Sequence, residues 1–214
     1  MIDIIYEDEF LLAVNKPSGL LVQGDRTGEI SLYDEVKSYL NGGFTGMVHR
    51  LDKFVSGIVV FAKSSRSAAA LSEIIREGEI GKVYYAIVEG LFHEKSGRLE
   101  HYIEKRGMKA VVYSVEKPGS QKSVLDYEVV EERNGKSLLK ITLITGRYNQ
   151  IRAQLAHVRR PIAGDYKYMR SGLQIDSIAL IAKDLAFKHP FSGEELRLSV
   201  DFPKGWDDFW KPQG

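Results

Sequence analysis

Residues 46–63, GMVHRLDKFVSGIVVFAK, contain the side chains of this sequence that are best suited to chemistry. Asp52 lies two positions after Arg50 and shortly before an apolar run at 57–62, whose β-branched residues predict a buried strand. A carboxylate that a loop holds beside a buried strand is a candidate nucleophile. The alternative is that Arg50 and Asp52 are solvated charges at the edge of a strand.

Other kinds of catalytic site find little support in the sequence. The chain has no cysteine, which excludes zinc–thiolate sites and cysteine nucleophiles, and its five histidines form no HExxH or similar close pair of metal ligands. The GxSxG element of hydrolases and the GxxxxGK[ST] phosphate loop are also missing. A glycosidase needs a second carboxylate facing Asp52, but Glu89 and Asp165 are as readily interpreted as structural residues.

The composition is that of an ordinary globular protein that is large enough for one domain or two small lobes. The 214 residues are 43% hydrophobic and 28% charged, and no apolar run is long enough to span a membrane. Met1 leads directly into acidic, strand-like sequence, which predicts that no secretory signal is present. We therefore expect a cytoplasmic protein with no membrane association.

The charges are distributed unevenly along the chain, although the net charge is only +1. Residues 1–35 are mainly acidic, whereas residues 147–170 contain many cations and only one carboxylate, that of Asp165. These cations are Arg147, Arg152, Arg159, Arg160, Lys167 and Arg170. A local basic surface favours a polyanion that docks on one face, and the alternative is a helix with a solvated charged face.

Hydrophobic periodicity predicts more strands than helices. Helices are predicted over 32–40 with Ser31 as the N-cap, over 65–77 with Ser65 as the N-cap, and over 148–159. Strands are predicted over 2–6, 10–15, 57–62, 82–89, 98–104, 110–115, 124–131, 138–144, 178–182 and 196–202, with a helical turn at 206–210. Because the strands come in consecutive runs, the sequence indicates an α+β protein with a mixed, mainly antiparallel sheet.

The helix predicted over 148–159 offers Asp52 a further cation, in addition to Arg50 close by in the sequence. Arg152 lies one turn from Tyr148 and from Ala156, so it shares a helix face that includes a small residue and can approach another element closely. An arginine placed beside Asp52 would keep the carboxylate ionised, as a nucleophile requires.

Five segments of the chain, in order, resemble the motifs of one enzyme family, the RluA family of RNA pseudouridine synthases. The segment HRLDKFVSGIVVFAKS is similar to its catalytic motif, HRLDxxTSG followed by an apolar strand. The five segments are IIYEDEFLLAVNKPSGLLVQ (4–23), HRLDKFVSGIVVFAKS (49–64), KVYYAIVEG (82–90), TGRYNQIRAQLAHVRRPIAGD (145–165) and LIAKDLAFKHPFSGEE (180–195). The resemblance therefore covers nearly the whole sequence.

The resemblance implies the pseudouridine synthase fold, in which helices flank a central sheet with a catalytic cleft. It implies a single catalytic domain over residues 1–214, with two lobes around the cleft as a variant of that arrangement. The family pattern begins at about Ile4, so we expect no S4-type RNA-binding module before it. The implied substrate is a structured RNA, either tRNA or rRNA, and we expect a monomer.

Functional residues can be carried over where the sequence matches the family's motifs. Asp52 would be the catalytic aspartate, and Arg50 would help to open or refill the RNA helix around the target base. Tyr84 would stack on the flipped uracil and take part in proton transfer, and Arg152 would pair with Asp52. The remaining members of the set are Leu51 and Ile151, which would line the pocket. We expect Asp52 and Arg152 within ion-pair distance and Tyr84 facing the same cleft.

The sequence departs from the family pattern at several pocket positions. These departures are Val55, Tyr148, Asn149, Gln154, Arg159, Arg160 and Ile181, and they bear on substrate preference. Lys16 lies in the family's Lys-Pro turn, where we expect a structural residue or one close to RNA. Pseudouridine formation involves no redox change and no energy input, so we expect no cofactor, nucleotide or metal.

The sequence is also compatible with two other functions. A relative that binds or folds RNA without catalysis would explain the altered positions Val55, Tyr148 and Asn149, although it would have no need to keep Asp52. A glycosidase or nucleosidase that acts on a small molecule could also use Asp52, but it would lack a paired acid.

Overall fold

The computed structural model describes residues 2–25, 28–169 and 177–211 of the chain. In chain order its elements are β1 (Asp3–Glu7), β2 (Leu11–Lys16), α1 (Leu32–Tyr39), β3 (Gly46–Met47), β4 (Ser56–Ala62), α2 (Ser65–Glu77), β5 (Gly81–Glu89), β6 (Ser96–Arg106), β7 (Lys109–Tyr113), β8 (Gln121–Arg133), β9 (Lys136–Leu143), α3 (Gln150–His157), β10 (Leu180–Lys188), β11 (Glu195–Ser199) and a 3₁₀ turn, η1 (Trp206–Trp210). The chain divides into two compact units, Met1–Gly81 with Ala182–Pro203 and Lys82–Ile181 with Lys204–Gly214.

The first unit is built around β4, which is buried along its whole length. β2 and β3 pair with β4 in antiparallel register, β1 pairs with the far side of β2, and β11 pairs with β10. β10 lies on the other side of β4. The continuous apolar run IVVFA suits a strand that is covered on both faces.

Gly57 allows β4 to lie against the backbone of β10. Its φ of +113° is in the region that favours glycine, and a Cβ built there would lie 2.2 Å from the carbonyl oxygen of Ala182. No side chain fits in that space unless the strands move apart. The glycine that follows the HRLD segment is therefore required by the packing of the sheet.

The two helices of the first unit begin at serine caps. Ser31 forms a capping box with Asp34 at the start of α1, as the sequence predicts. The predicted cap of α2 is wrong by one residue. Ser64, not Ser65, has the extended backbone of an N-cap and accepts a hydrogen bond from the backbone N–H of Ser67 at 3.1 Å.

The second unit contains an antiparallel sheet in the order β5-β9-β8-β6-β7. Its core includes Leu125, Leu139 and Ile141, which are fully buried. The helix α3 packs on this sheet through Ala153, which clusters with Ile103 and Ala110. A small residue at this contact lets the helix backbone approach the strands closely.

The order and type of the predicted elements agree with the α+β prediction, and most of the differences concern the ends of elements. The helix predicted over 148–159 begins at Gln150, because Asn149 adopts a left-handed backbone with φ of +50°. The strand predicted over 178–182 continues to Lys188, and the two-residue strand β3 was not predicted. Over the residues that the structure describes, no helix is long and apolar enough to cross a membrane.

We expect Gly57→Ala to lower the free energy of unfolding by roughly 2–5 kcal/mol, because the backbone is strained for alanine and the new methyl group meets a carbonyl oxygen. Urea denaturation followed by circular dichroism measures the loss. Gly78→Ala is the matched control, since Gly78 has φ of +74° and no heavy atom within 4 Å of a built Cβ. Equal losses in the two variants would show that the contact with Ala182 does not matter.

Candidate active site

Asp52 lies in the loop between β3 and β4, and buried residues hold this loop on both sides. Leu51 and Val55 are both buried, and the backbone N–H of Val55 donates to the carbonyl oxygen of Asp52 at 3.1 Å. Asp52 itself is half-buried, and Arg50 is exposed. The loop thus presents a carboxylate from an anchored turn, with a cation two residues before it on the surface.

His49 anchors the start of the same loop. Its Nε2 accepts a hydrogen bond from the backbone N–H of Val60 in β4, at 3.0 Å. A ring nitrogen that accepts a hydrogen bond carries no proton, so the side chain of His49 serves as an additional acceptor for the backbone of β4. In the sequence, His49 is one of five histidines that form no close pair of metal ligands and the first residue of the HRLD segment, and neither pattern indicates this contact. Among the described residues, no group of three or more histidine and carboxylate side chains is placed to share a metal ion.

Lys16 is fully buried at the end of β2. Its Nζ donates to three backbone carbonyl oxygens, those of Pro17 at 2.9 Å, Leu20 at 2.8 Å and Lys53 at 3.0 Å. The last of these belongs to the residue that follows Asp52 in the chain. The expectation of a structural lysine agrees with these contacts, but the sequence did not indicate which segment the lysine would hold.

The burial of Lys16 also affects its ionisation. Removal from water lowers the pKa of the Lys16 ammonium to about 7, and the negative charge of Asp52 acts in the opposite direction. The two side chains are therefore electrostatically coupled across the loop. This attraction favours the ionised form of Lys16.

Arg152 lies in the first turn of α3 and is 5% exposed. It forms a two-point ion pair with the fully buried Asp165, from Nε to Oδ2 at 2.7 Å and from Nη2 to Oδ1 at 2.8 Å. The guanidinium also lies over the ring of Tyr168, 5.3 Å from its centroid. Asp165, which the sequence left as a structural candidate, is thus a partner of the arginine assigned to the site.

Tyr168 is a further residue of this cluster that the sequence did not single out. Its hydroxyl oxygen accepts from the backbone N–H of Ala110 and from Nδ2 of Asn149, both at 3.0 Å. Burial raises the pKa of Tyr168 above its ordinary value, so the phenol stays protonated at neutral pH. The ring therefore gives Arg152 a neutral, rigid surface on which to lie.

The remaining predicted site residues lie on regular elements of the second unit. Tyr84 is half-buried in β5, where it pairs with Ile141 of β9, and Ile151 is buried in α3. The ion pair between Asp52 and Arg152 and the orientation of Tyr84 stay predictions.

Two departures from the family pattern have a clear structural role near the start of α3. Tyr148 donates from its hydroxyl to the carbonyl oxygen of Met108 at 3.1 Å, and its ring lies 4.9 Å from Nζ of Lys105 and 5.4 Å from Nζ of Lys167. Gln154 donates from Nε2 to the carbonyl oxygens of two strand residues. Tyr148 thus joins the β6–β7 turn to the helix.

Not all of the cations that the structure describes in the basic segment lie fully on the surface. Arg147 and Arg159 are exposed, but Arg152 is buried in its ion pair, and Nε of Arg160 donates to the carbonyl oxygen of Leu91 at 2.9 Å. Arg170 lies outside the described residues. The exposed turn 105–109, with the sequence KRGMK, carries further cations of this unit.

Comparison with known sequences relates the chain to enzymes that modify RNA. A family model described as RNA pseudouridylate synthase matches residues 10–157. The chain is 30% identical to tRNA pseudouridine synthase C of Vibrio parahaemolyticus, a match that covers 98% of this chain and 94% of that protein. It is 31% identical to ribosomal large subunit pseudouridine synthase C of Rickettsia conorii, over 94% of this chain and 68% of that protein.

Solved structures show the same fold. Human RNA pseudouridylate synthase domain containing 4 matches with a TM-score of 0.81 at 24% identity, covering 97% of this chain and 91% of that one. Human RNA pseudouridylate synthase domain containing 1 also matches with a TM-score of 0.81, at 20% identity. The fold predicted from the motifs is therefore confirmed.

We expect Asp165→Asn to lower the free energy of unfolding by about 3–5 kcal/mol, because it removes the buried negative charge that binds the guanidinium of Arg152 at two points. Urea denaturation measures the change. Asp126→Asn is the matched control, since Asp126 makes the same two-point contact with Arg98 on the exposed surface, where water replaces the lost partner. A loss no larger than that of Asp126→Asn would contradict a stabilising role for the buried pair.

Proposed function

We propose that this chain, which belongs to the RNA pseudouridylate synthase family, uses Asp52 as the catalytic carboxylate for isomerising uridine in RNA. The relation to RluA-type enzymes that the five motifs predicted is thus confirmed, and with it the isomerase class. The observation that carries the assignment to Asp52 is its place on a loop anchored at His49, Leu51, Lys53 and Val55. A carboxylate that the surrounding structure fixes in place is already oriented toward its substrate when the substrate binds.

The reaction sets simple requirements for the protein. The bond from N1 of uracil to C1′ of ribose breaks, the base turns, and C5 joins C1′, so that C5 loses a proton and N1 gains one. Asp52 acts at the sugar or at the ring, and Tyr84 stacks on the base and takes part in the proton transfer. No electrons are gained or lost overall, and we propose that the enzyme works without a cofactor.

The target base must leave its stack before either residue can reach it. Extrusion of a base costs a few kcal/mol, and stacking on an aromatic ring such as Tyr84 recovers part of this cost. Arg50 is exposed two residues before Asp52, a position from which it can occupy the space that the base leaves. Leu51 and Ile151 are proposed to line the pocket, and Arg152 to keep Asp52 ionised.

RNA is the proposed partner, and its phosphates are the groups that the exposed cations would bind. Lys105, Arg106 and Lys109 are exposed in the β6–β7 turn, and Arg147 is exposed before α3. The relatives include enzymes named for tRNA and enzymes named for the large ribosomal subunit, so we propose a structured RNA of either kind. We also propose that one catalytic domain acts as a monomer in the cytoplasm.

We expect Asp52→Asn to abolish pseudouridine formation in a matched transcript while the affinity for that RNA survives, because the amide keeps the shape of the side chain but removes its charge. Mass spectrometry of the digested transcript and filter binding measure the two quantities. Asp201→Asn, the same change at an exposed aspartate of the first unit, is the control and should leave both unchanged.

Full product formation by Asp52→Asn would contradict the assignment of Asp52 as the catalytic carboxylate. Rescue of a deletion strain by Asp52→Ala would instead favour a role in RNA folding without catalysis. Mapping pseudouridine in RNA from cells with and without this gene identifies the substrate, since a lost position names both the RNA and the nucleotide.

We expect the double variant Lys105→Ala, Lys109→Ala to bind RNA more weakly and to reduce the slope of log Kd against log salt by roughly 1–2, because each lost phosphate contact releases about one counterion fewer. Filter binding between low and moderate salt measures the slope. The control pair Lys37→Ala, Arg76→Ala removes two exposed cations from the helices of the first unit. Equal slopes for both double variants would exclude the β6–β7 turn as a phosphate-binding element.

A further inference from the structure

The strand β1, the helix α1 and the residue before the helix cap form an apolar groove on the surface of the first unit. Its volume is about 670 Å³, within the range of ligand-binding pockets, and Ile2, Ile4, Ile30 and Tyr39 supply its apolar side chains. Ile30 is 70% exposed, Tyr39 44% and Ile4 37%. Large apolar side chains that are exposed together and bordered by polar groups indicate a surface that binds a partner.

The two walls of this groove are held in place without a partner. The hydroxyl of Tyr39 in α1 donates to Oε2 of Glu7 in β1 at 2.7 Å, and Nζ of Lys63 lies 2.8 Å from Oε1 of the same carboxylate. At the other end of the helix, the capping box of Ser31 and Asp34 fixes the first turn. The groove is therefore preformed, and a partner that fills it would cause little loss of conformational entropy in the protein.

The rim of the groove is acidic. Residues 2–9 and 28–40, which include both walls, contain seven acidic residues and one basic residue, Lys37. Asp34 and Glu35 line the groove itself, and no basic side chain of the described residues forms an ion pair with either of them. An apolar interior with an acidic rim is complementary to a ligand that is both apolar and cationic.

This charge opposes the other occupants that an apolar surface can have. The carboxylates would repel RNA and the anionic surface of a membrane. A second copy that bound through the same face would bring identical carboxylates together, because a two-fold contact places the same surface on both sides. β1 is the outermost strand of the described sheet, but a bulge between Ile4 and Tyr6 opposes the addition of a further strand. A basic segment of another protein meets none of these obstacles.

We propose that the groove between β1 and α1 binds a basic segment of a partner protein, which places apolar side chains against Ile4 and Ile30 and cationic side chains against Glu35. Burial of the apolar side chains supplies most of the affinity, and the charges select a cationic partner. Proteins that bind RNA carry basic segments, because cations neutralise its phosphates, so an enzyme that acts on RNA meets partners of this class. The inference goes beyond the proposed function and does not depend on the role of Asp52.

Photocrosslinking in the cells that produce the protein identifies the occupant of the groove. The full chain carries benzoylphenylalanine in place of Ile30, and a matched chain carries it in place of Val130, an exposed residue of the second unit. We expect only position 30 to crosslink to a segment of another protein in which lysine or arginine flanks apolar residues, as mass spectrometry of the crosslinked peptides identifies. Crosslinks to RNA, to lipid, to a second copy of the chain or to a protein segment without this charge would overturn the proposal. The same products from both positions, or no product from position 30, would overturn it as well.

Binding of a synthetic peptide tests the apolar and the electrostatic contributions separately. The probe is a fluorescein-labelled peptide with the sequence KLKLKLK, and its two controls replace every leucine with serine or every lysine with glutamate. Fluorescence anisotropy with the full-length protein measures the three Kd values. We expect each control to bind at least about tenfold more weakly, because burial of even one leucine side chain lowers Kd by about that factor and like charges repel. Equal binding of the serine control would show that the groove attracts only charge and would overturn the proposal.

Variants of the protein locate the binding site of the KLKLKLK peptide. The double variant Ile4→Ser, Ile30→Ser removes apolar surface, and we expect it to raise Kd about tenfold or more, whereas Glu35→Gln raises Kd about 2- to 5-fold. The control Val115→Ser, Val130→Ser makes the same kind of change at exposed valines and should leave Kd within about twofold. An unchanged Kd for the double variant would overturn the assignment of the groove.

Two further measurements keep the outcome unambiguous. Urea denaturation verifies that each variant is folded, which we expect because substitutions at exposed positions change stability little. Pseudouridine formation in a substrate transcript should stay within about twofold of the wild-type rate in the double variant, since none of the changed residues belongs to the proposed catalytic set. Loss of peptide binding is therefore distinguishable from a failure of the proposed function.

Discussion

A buried ammonium group holds the loop on which Asp52 lies, and the candidate site depends on that arrangement. Removal of an ion from water costs several kcal/mol, which must be offset by well-placed acceptors. Around Lys16 these acceptors are backbone carbonyl oxygens, so the offset is possible only when the turn after β2 and the loop after β3 have their native shapes. The charge therefore couples the conformation of two loops to each other.

In the second unit a buried cation is also held by well-placed acceptors, and here the acceptors belong to a side chain. Arg152 is buried against Asp165, and the ring of Tyr168 covers the guanidinium. A guanidinium has five N–H donors, and the two-point contact with Asp165 uses two of them. In each unit a residue of the proposed catalytic set is fixed by a charge that the fold has buried.

Local patterns were sufficient to predict most of the secondary structure. They failed at the ends of helices, where the backbone conformation of a single residue determines the first helical position. Ser64 and Ser65 are both good caps, and only the extended backbone of Ser64 distinguishes them. The start of α3 depends on the left-handed conformation of Asn149, which asparagine permits but does not require. Asp52 and Arg152 could be selected by residue type and motif, because their chemistry is visible in the sequence.

The contacts that hold these residues could not be predicted in the same way. Nothing local to Asp165 indicates that it pairs with Arg152, and no periodicity relates Lys16 to the loop after Asp52. One signal was available: Lys16 ends the apolar run LLAVNK, and a lysine that is buried with such a strand needs acceptors nearby. Resemblance to a family marks such a lysine as part of a motif without giving its physical role.

The two anchoring contacts differ in how far along the chain they reach, and this difference bears on the order of folding. Arg152 and Asp165 are 13 residues apart, whereas Lys16 and Lys53 are 37 apart. Closing the longer loop costs about 0.9 kcal/mol more in chain entropy. The anchor of Arg152 is thus the easier to form and to restore after a local opening.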